Sequence, residues 1–525
     1  MRIRSPFAMR HSASRLWLLV TAAVGGAVVM AVELLGARLL AVRFGESLTV
    51  WAAMISVTLL SLAAGYAVGG RLADRRPEPA VLYGLALAAA VLTAICPHAR
   101  FVLDAANATL GLRAGALAGS AILFFLPLGL MGVTGPFVIG VLSRNRTGVG
   151  TTAGMVYALS TLGSVAGTLL TGLYLVPHFG TAAGFRMAAV VLGATAAVGL
   201  ALRVPRWGAA SLALPIGLAL LPGPGLAVGA TYTAPNGDPV KVLAIEDSAY
   251  GRLVVLQKAD YRLLVTNGIV QTGVPRGIAQ SPKAEALVGL YFQELLPYTV
   301  DDPSGRRVLI IGLAGGMTAT LLRQYEMDVD SVDLDPAVID LARRYFWFEG
   351  PAVAADGRRF LETTKERYDF CVIDTYSGDV FPFHLSSVEA FRAARAVLLE
   401  GGILALNFIG SPTGRAFACV YRTLQAVFPH VLAIRGEDTD DVQTITLFAS
   451  DREIEFNHGW MQYLPEARGV DPVADSIRRL TVRPQRADGL ALTDDYNPID
   501  FLRAGEALRW RRRTADTIGR QAARF

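Results

Sequence analysis

Between residues 16 and 229 the chain carries successive runs of uncharged apolar residues, and these constrain its fold more than any other feature. The stretches 50–70, 80–97, 114–142, 152–176 and 187–202 are each about long enough to cross a hydrocarbon core roughly 30 Å thick. The first stretch, 16–40, is similar but holds Glu33 and Arg38 near its end, where a structural pair and a transport role are both open readings. It is too long for a signal peptide and shows no small-residue cleavage site. A seventh stretch, 207–229, is broken by Pro222-Gly223-Pro224-Gly225 and is expected to stop short of crossing. Gly65 with Gly69, and Gly163 with Gly167, stand at helical spacing, as close helix packing requires.

Charge agrees with this division. Only 18% of residues are charged, against about a quarter in soluble proteins, and the deficit lies before Asp238. Arginines gather at the N-terminus and in the 71–76, 144–146 and 203–206 loops, which the positive-inside rule places in the cytoplasm. The net charge of +5 is therefore a membrane signature, and no nucleic-acid partner is expected. The reading is a multi-pass protein of the cell (inner) membrane, with the bilayer as partner and the second half in the cytoplasm. Cys96, Cys371 and Cys419 have no paired spacing, so neither a disulfide framework nor a metal site is expected.

From Val240 the pattern changes. "VKVLAIEDSAYGRLVVLQKADYRLLVTNGIVQTG" reads as short strands broken by polar turns, hence a small antiparallel β module. "KAEALVGLYFQELLPY" reads as a helix. Strands at 307–311, 329–334, 369–374 and 402–408 then alternate with helices at 317–326, 336–347 and 387–400, which is the pattern of a Rossmann-like α/β domain. The expected boundaries are 1–229 for the membrane domain, 230–285 for the β module and 286–525 for the α/β domain.

Ligands in such sheets bind beyond the carboxyl ends of the strands. "VLIIGLAGGMTATLL" (308–322) runs a strand into a turn of small residues there. It has no lysine, so it is not a triphosphate loop, and Gly312, Ala314 and Met317 stand where a dinucleotide turn needs three glycines. Asp333 ends the next strand 21 positions after Gly312, where a carboxylate meets two ribose hydroxyls. A ribose acid without a phosphate grip points to a nucleoside such as S-adenosylmethionine or a relative. Asp356 in "AADGRRFLE" precedes a helix, placed to accept from an adenine amino group, and Asp374 ends an apolar strand whose loop carries Asp379.

The order of "VLIIGLAGG", "VDLD", "DGRRFL", "YDFCVIDTYSGD" and "GGILALN" resembles the spermidine synthases, the polyamine aminopropyltransferases, over roughly 240–450. "SAYGRLVVL" and "LLVTNGIVQTG" resemble that family's N-terminal β module, and the apolar half resembles bacterial members fused to a multi-span segment. The resemblance implies Asp333 on ribose, Asp356 and Gly357 on adenine, Gly312 as a backbone contact, and Gln271 near the thioether. It makes Asp374 the base or anchor for the attacking amine, with Asp379 and Tyr291 as substrate residues. It further implies decarboxylated S-adenosylmethionine as co-substrate rather than a tightly bound cofactor, a polyamine partner and a homodimer.

Departures stand beside it. The family's donor-gripping aspartate falls at Gly315, its Asp-x-x-Asp becomes Asp374-x-x-Ser377, and its Asp-Glu pair has only Glu285, Tyr291 and Glu294 nearby. Methyl transfer from S-adenosylmethionine, and a non-catalytic sensor or transporter-linked domain, therefore remain alternatives to aminopropyl transfer. His384 is a candidate for the crevice or a backbone-bonded loop residue. "LTDDYNPID" (492–500) puts Asp494 and Asp495 in a polar turn, read as solvated with closure of the site the other reading, and the basic tail reads as a solvated helix with anionic lipid the other reading.

Overall fold

The computed structural model describes residues 6–44, 48–144, 148–222, 227–276, 292–376, 378–456, 477 and 479–518. The chain divides into two compact units, the first made of residues 1–225 with 247–249 and the second of 226–246 with 250–523.

The first unit is helical. Its helices are α1 (Pro6–Phe44), α2 (Leu48–Arg75), α3 (Pro79–Ile95), α4 (Arg100–Gly132), α5 (Thr134–Ser143), α6 (Val149–Leu170), α7 (Val176–Ala201) and α8 (Pro205–Ala219). Five segments are long and apolar enough to cross a membrane: Ser14–Phe44, Thr49–Arg75, Pro79–His98, Ala114–Ser143 and Val149–Ala201. Exposed side chains such as Leu59, Leu60, Leu162 and Leu173 suit a surface bathed in hydrocarbon rather than water.

The glycines act as their spacing predicts. A Cβ on Gly163 would lie 1.9 Å from the Ala23 carbonyl oxygen, and one on Gly167 would lie 2.3 Å from that of Ala27. The α1 and α6 backbones thus touch, and lipid tails supply no hydrophobic force to replace that contact. The expected runs 152–176 and 187–202 fall in two helical segments, α6 and α7, of an apolar stretch from Val149 to Ala201 that is jointed rather than straight. A π turn at Thr171–Leu175 and a left-handed Gly180 (φ 77°) articulate it. The π turn lies just before Pro177, which has no N–H for the regular ladder. Hydropathy averages over such joints. The α8 helix has 15 residues, about 22 Å at 1.5 Å each, so it is shorter than a bilayer core.

The second unit opens with a five-stranded antiparallel sheet: β1 (Thr231–Thr233), β2 (Pro239–Asp247), β3 (Arg252–Lys258), β4 (Tyr261–Thr266) and β5 (Ile269–Pro275). The expected helix at 283–298 falls largely outside the described residues, and Phe292–Thr299 is a 3-10 segment.

Next come β6 (Arg307–Ile311), α9 (Met317–Gln324), β7 (Asp328–Asp333), α10 (Pro336–Tyr345), β8 (Ala352–Ala354), α11 (Gly357–Thr363) and β9 (Tyr368–Ile373). The fold closes with α12 (Val388–Val397), β10 (Leu398–Gly410), α13 (Arg415–Gln425), β11 (His430–Arg435), β12 (Gln443–Ser450), β13 (Thr481–Val482) and α14 (Ile499–Ile518). The sheet order is β13-β11-β12-β10-β9-β6-β7-β8, with β10 to β8 parallel. The antiparallel β12 lies beside β10. Strands β6, β9 and β10 are buried on both faces, which is why they read as unbroken apolar runs.

Candidate active site

Strand order changes direction at β6, whose neighbours are β7 on one side and β9 on the other. A crevice at the carboxyl ends is expected at that switch point, and a cavity of about 1140 Å³, open to solvent, lies there. Its lining includes Gln271, Gly312, Asp333, Asp356, Gly357, Asp374 and His384. Tyr291 and Ser377 lie outside the described residues.

Gly312 is held tightly. Its φ is +96°, and a Cβ there would lie 2.0 Å from the Asp374 carbonyl oxygen. Only glycine allows β6 and β9 to meet at this turn. Asp333 is fixed by backbone: Oδ2 accepts from Leu313 N–H at 2.9 Å and Oδ1 from Asp335 N–H at 2.9 Å. Burial raises its pKa above the ordinary value, while those donors act in the opposite sense. At Asp356, Oδ1 caps α11 through Arg359 N–H at 2.8 Å, and Oδ2 stands 3.4 Å from His384 Nε2. Gly357 is buried, and a Cβ on it would meet Ile311 Cγ2 at 2.3 Å.

Asp374 follows β9, and its Oδ1 accepts from Asn407 Nδ2 at 2.8 Å. Gln271 donates to the Gly378 carbonyl at 3.0 Å, tying β5 to the loop after Asp374. Burial pushes the Tyr376 phenol up to about 12, and its oxygen accepts from Ile409 N–H at 2.7 Å. A smaller space of about 410 Å³ shares Gln271, Gly312, Ala314 and Asp374 with the main cavity. Gly315 is closed to any side chain, since a Cβ would meet Thr272 Cγ2 at 2.6 Å and Val274 Cγ2 at 3.1 Å.

The structure corrects the expectation for Asp379. Its side chain is 3% exposed and does not line the cavity. Both of its oxygens accept from Arg511, at 2.6 and 2.8 Å, so the carboxylate is a structural tie rather than a substrate contact. The expected solvated tail is also corrected. Arg511 and Arg503 on α14 are buried, and Arg503 donates to the carbonyls of Ile409 and Asp379. Asp494 is exposed, as expected of a solvated turn, and accepts from Arg358 and Ser387.

Sequence reasoning missed Asn407, Thr444 and Trp510, all on the cavity wall. Asn407 ends the "GGILALN" motif, but its partner lies 33 positions away on the neighbouring strand. Trp510 carried no local signal.

Strand order and cavity position define the second unit as a Rossmann-like fold of the S-adenosylmethionine-dependent methyltransferase type. Residues 296–412 match the spermine/spermidine synthase domain family. Over these residues the second unit is similar to the spermidine synthase, or polyamine aminopropyltransferase, family. A probable polyamine aminopropyl transferase of Bifidobacterium longum is 30% identical over 279 residues, 49% of this chain and 61% of that protein. A polyamine aminopropyltransferase of Vibrio vulnificus is 28% identical over 171 residues, 31% of this chain and 57% of that protein. The chain thus spans about six-tenths of the length of these relatives. Among solved structures, a probable spermidine synthase from Corynebacterium glutamicum is 18% identical with a TM-score of 0.35, covering 54% of this chain and 95% of that one.

Proposed function

We propose that the protein transfers an aminopropyl group from decarboxylated S-adenosylmethionine to an amine, putrescine being the acceptor the family resemblance implies. The carrying observation is the charge of the cavity. Among its described lining residues are four carboxylates, Asp333, Asp335, Asp356 and Asp374, and no lysine or arginine. That lining suits a sulfonium cation lacking a carboxylate. S-adenosylmethionine, the methyl donor, would bring a carboxylate with no cationic partner.

The step balances without a cofactor. A neutral amine attacks the propyl carbon on sulfur, the N–C bond forms, the C–S bond breaks, and its electron pair stays on sulfur as methylthioadenosine. One proton leaves the nitrogen. An alkyl amine near pKa 10 costs about 4 kcal/mol to deprotonate at pH 7. Asp374 holds the ammonium and receives that proton during attack. Asn407 fixes the Asp374 rotamer, Asp333 takes the ribose, and Asp356 with Gly357 takes the adenine. Release of methylthioadenosine from the decarboxylated donor, dependent on added amine, tests the reading. Binding without release would favour a sensor.

Asp333→Ala should weaken methylthioadenosine binding by about 2 kcal/mol, the loss of hydrogen bonds to a charged group. Unchanged calorimetric affinity in a folded variant would remove Asp333 from the ribose. The pH dependence has a definite sign. The raised pKa means the carboxylate acceptor is lost, and binding weakens, as pH falls through a value above the ordinary carboxylate range. Its effect on stability runs the other way, greatest below the ordinary pKa and lost as pH rises through the folded one.

For location, the second unit is proposed to lie on the cytoplasmic side of the cell (inner) membrane, where sulfonium nucleosides are made. Asp238→Cys in intact cells should resist an impermeant thiol reagent until the membrane is opened. The native cysteines are buried and should not interfere. Labelling from outside would reverse the assignment.

A further inference from the structure

Apolar residues and a polar pair share one end of the cavity. Ala355, Pro382 and Leu385 line it with Asp356 and His384. Leu385 is buried, and a Cβ on Gly357 would lie 3.6 Å from its Cδ1, so the loop after β9 closes on the start of α11. Apolar walls with a few fixed polar groups are what a purine meets in a binding pocket.

His384 sits in a short 3-10 turn, Phe383–Leu385, that two neighbouring segments hold in place. Arg358 on α11 donates to the His384 carbonyl at 3.1 Å and to Ser387 Oγ at 3.3 Å. Asn497, just before α14, donates to the Phe383 carbonyl at 2.9 Å and to Ser386 Oγ at 3.1 Å. Ser387 caps α12 through Ala390 N–H and donates to Asp494 Oδ1. Asp494 and Asn497 both belong to "LTDDYNPID", so that polar turn braces the histidine. A turn held by this many bonds restricts where its ring can lie, as a residue that meets a ligand requires.

The ring faces Asp356. His384 Nε2 stands 3.4 Å from Asp356 Oδ2, and both side chains are 40% exposed. That distance exceeds a full hydrogen bond, so neither atom is committed to the other. Asp356 Oδ1 is engaged by Arg359 N–H, which leaves Oδ2 as the acceptor for a ligand. An acceptor and a donor side by side match the 6-amino group and N7 of adenine, the pairing by which asparagine and glutamine read that base.

We infer that His384 is a specificity-determining residue of the nucleoside site. Its Nε2–H donates to adenine N7 while Asp356 Oδ2 accepts from the 6-amino group. This rests on the reading that places adenine at Asp356.

The test is calorimetric titration of the full chain in detergent with methylthioadenosine and with its 7-deaza analogue, in which C–H replaces N7. Wild type should bind methylthioadenosine about 10-fold more tightly, the scale of one well-formed hydrogen bond. Equal affinities would overturn the inference, and this comparison needs no variant. His384→Phe keeps a ring beside Phe383 but has no donor. It should weaken methylthioadenosine about 10-fold and leave the 7-deaza affinity unchanged, so that the two nucleosides bind alike. His384→Gln keeps an N–H donor and should restore most of the preference. An equal loss for both nucleosides in His384→Phe would mean that the ring supports the loop without reading the base, which also overturns the inference.

The two readings fail separately. If Asp333→Ala weakens methylthioadenosine but wild type shows no preference over the 7-deaza compound, the histidine assignment falls and the nucleoside reading stands. If wild type binds neither nucleoside, both fall.

Discussion

Asp374→Asn is expected to lower amine-dependent release of methylthioadenosine by roughly 10²–10⁴-fold, the scale for losing a positioned general base. Asparagine keeps the shape of the side chain but neither takes a proton nor balances an ammonium. Asp374 is partly exposed and lines the cavity, and its backbone N–H bonds Ile311 O whatever the side chain is. Thermal stability should therefore stay within about 1 kcal/mol of wild type. Nucleoside affinity, set mainly by the β7 and β8 ends, should change little. Near-normal turnover in this variant would mean that Asp374 is not the base.

The second large effect concerns the loop that Asp374 begins. Asp379→Asn or Arg511→Met should destabilise the second unit by about 3–5 kcal/mol, because each leaves one member of a buried ion pair without its partner. The pair is 3% and 9% exposed, and Arg511 also donates to Asn267 O at 3.3 Å. It therefore joins α14, the loop after β9, and the turn between β4 and β5. Replacing both partners, Asp379→Leu with Arg511→Met, removes both buried charges and should recover much of the loss. Denaturant titration of the four proteins checks this. Full stability of Asp379→Asn combined with lost turnover would restore Asp379 as a candidate for the chemistry.

These two acids show what the sequence made legible. Asp374 follows four apolar residues, "FCVI", whose burial fixes where the strand ends and so where the next side chain lies. Asp379 sits five residues into a loop, where no periodicity sets its direction, and its partner is 132 residues away. The parallel strands were readable because burial on both faces makes them continuous apolar runs. Asn407 was visible as a residue but not as a ligand of Asp374, because that contact needs the register between β9 and β10. In the first unit, hydropathy located the apolar segments but not the π turn at 171–175, which depends on backbone spacing rather than polarity.

The acidic lining also bears on how a catalytic cycle ends. On the proposed chemistry, the donor enters with a positive sulfur and departs as an uncharged thioether. The carboxylates attract the first far more than the second, so breaking the C–S bond cancels the attraction that had retained the nucleoside. Departure of the spent nucleoside should then be rapid without any gate having to open. Added salt should weaken capture of the donor while hardly touching its escape. A site built this way resists clogging by its own by-product, and it does so through the charge of the cavity alone.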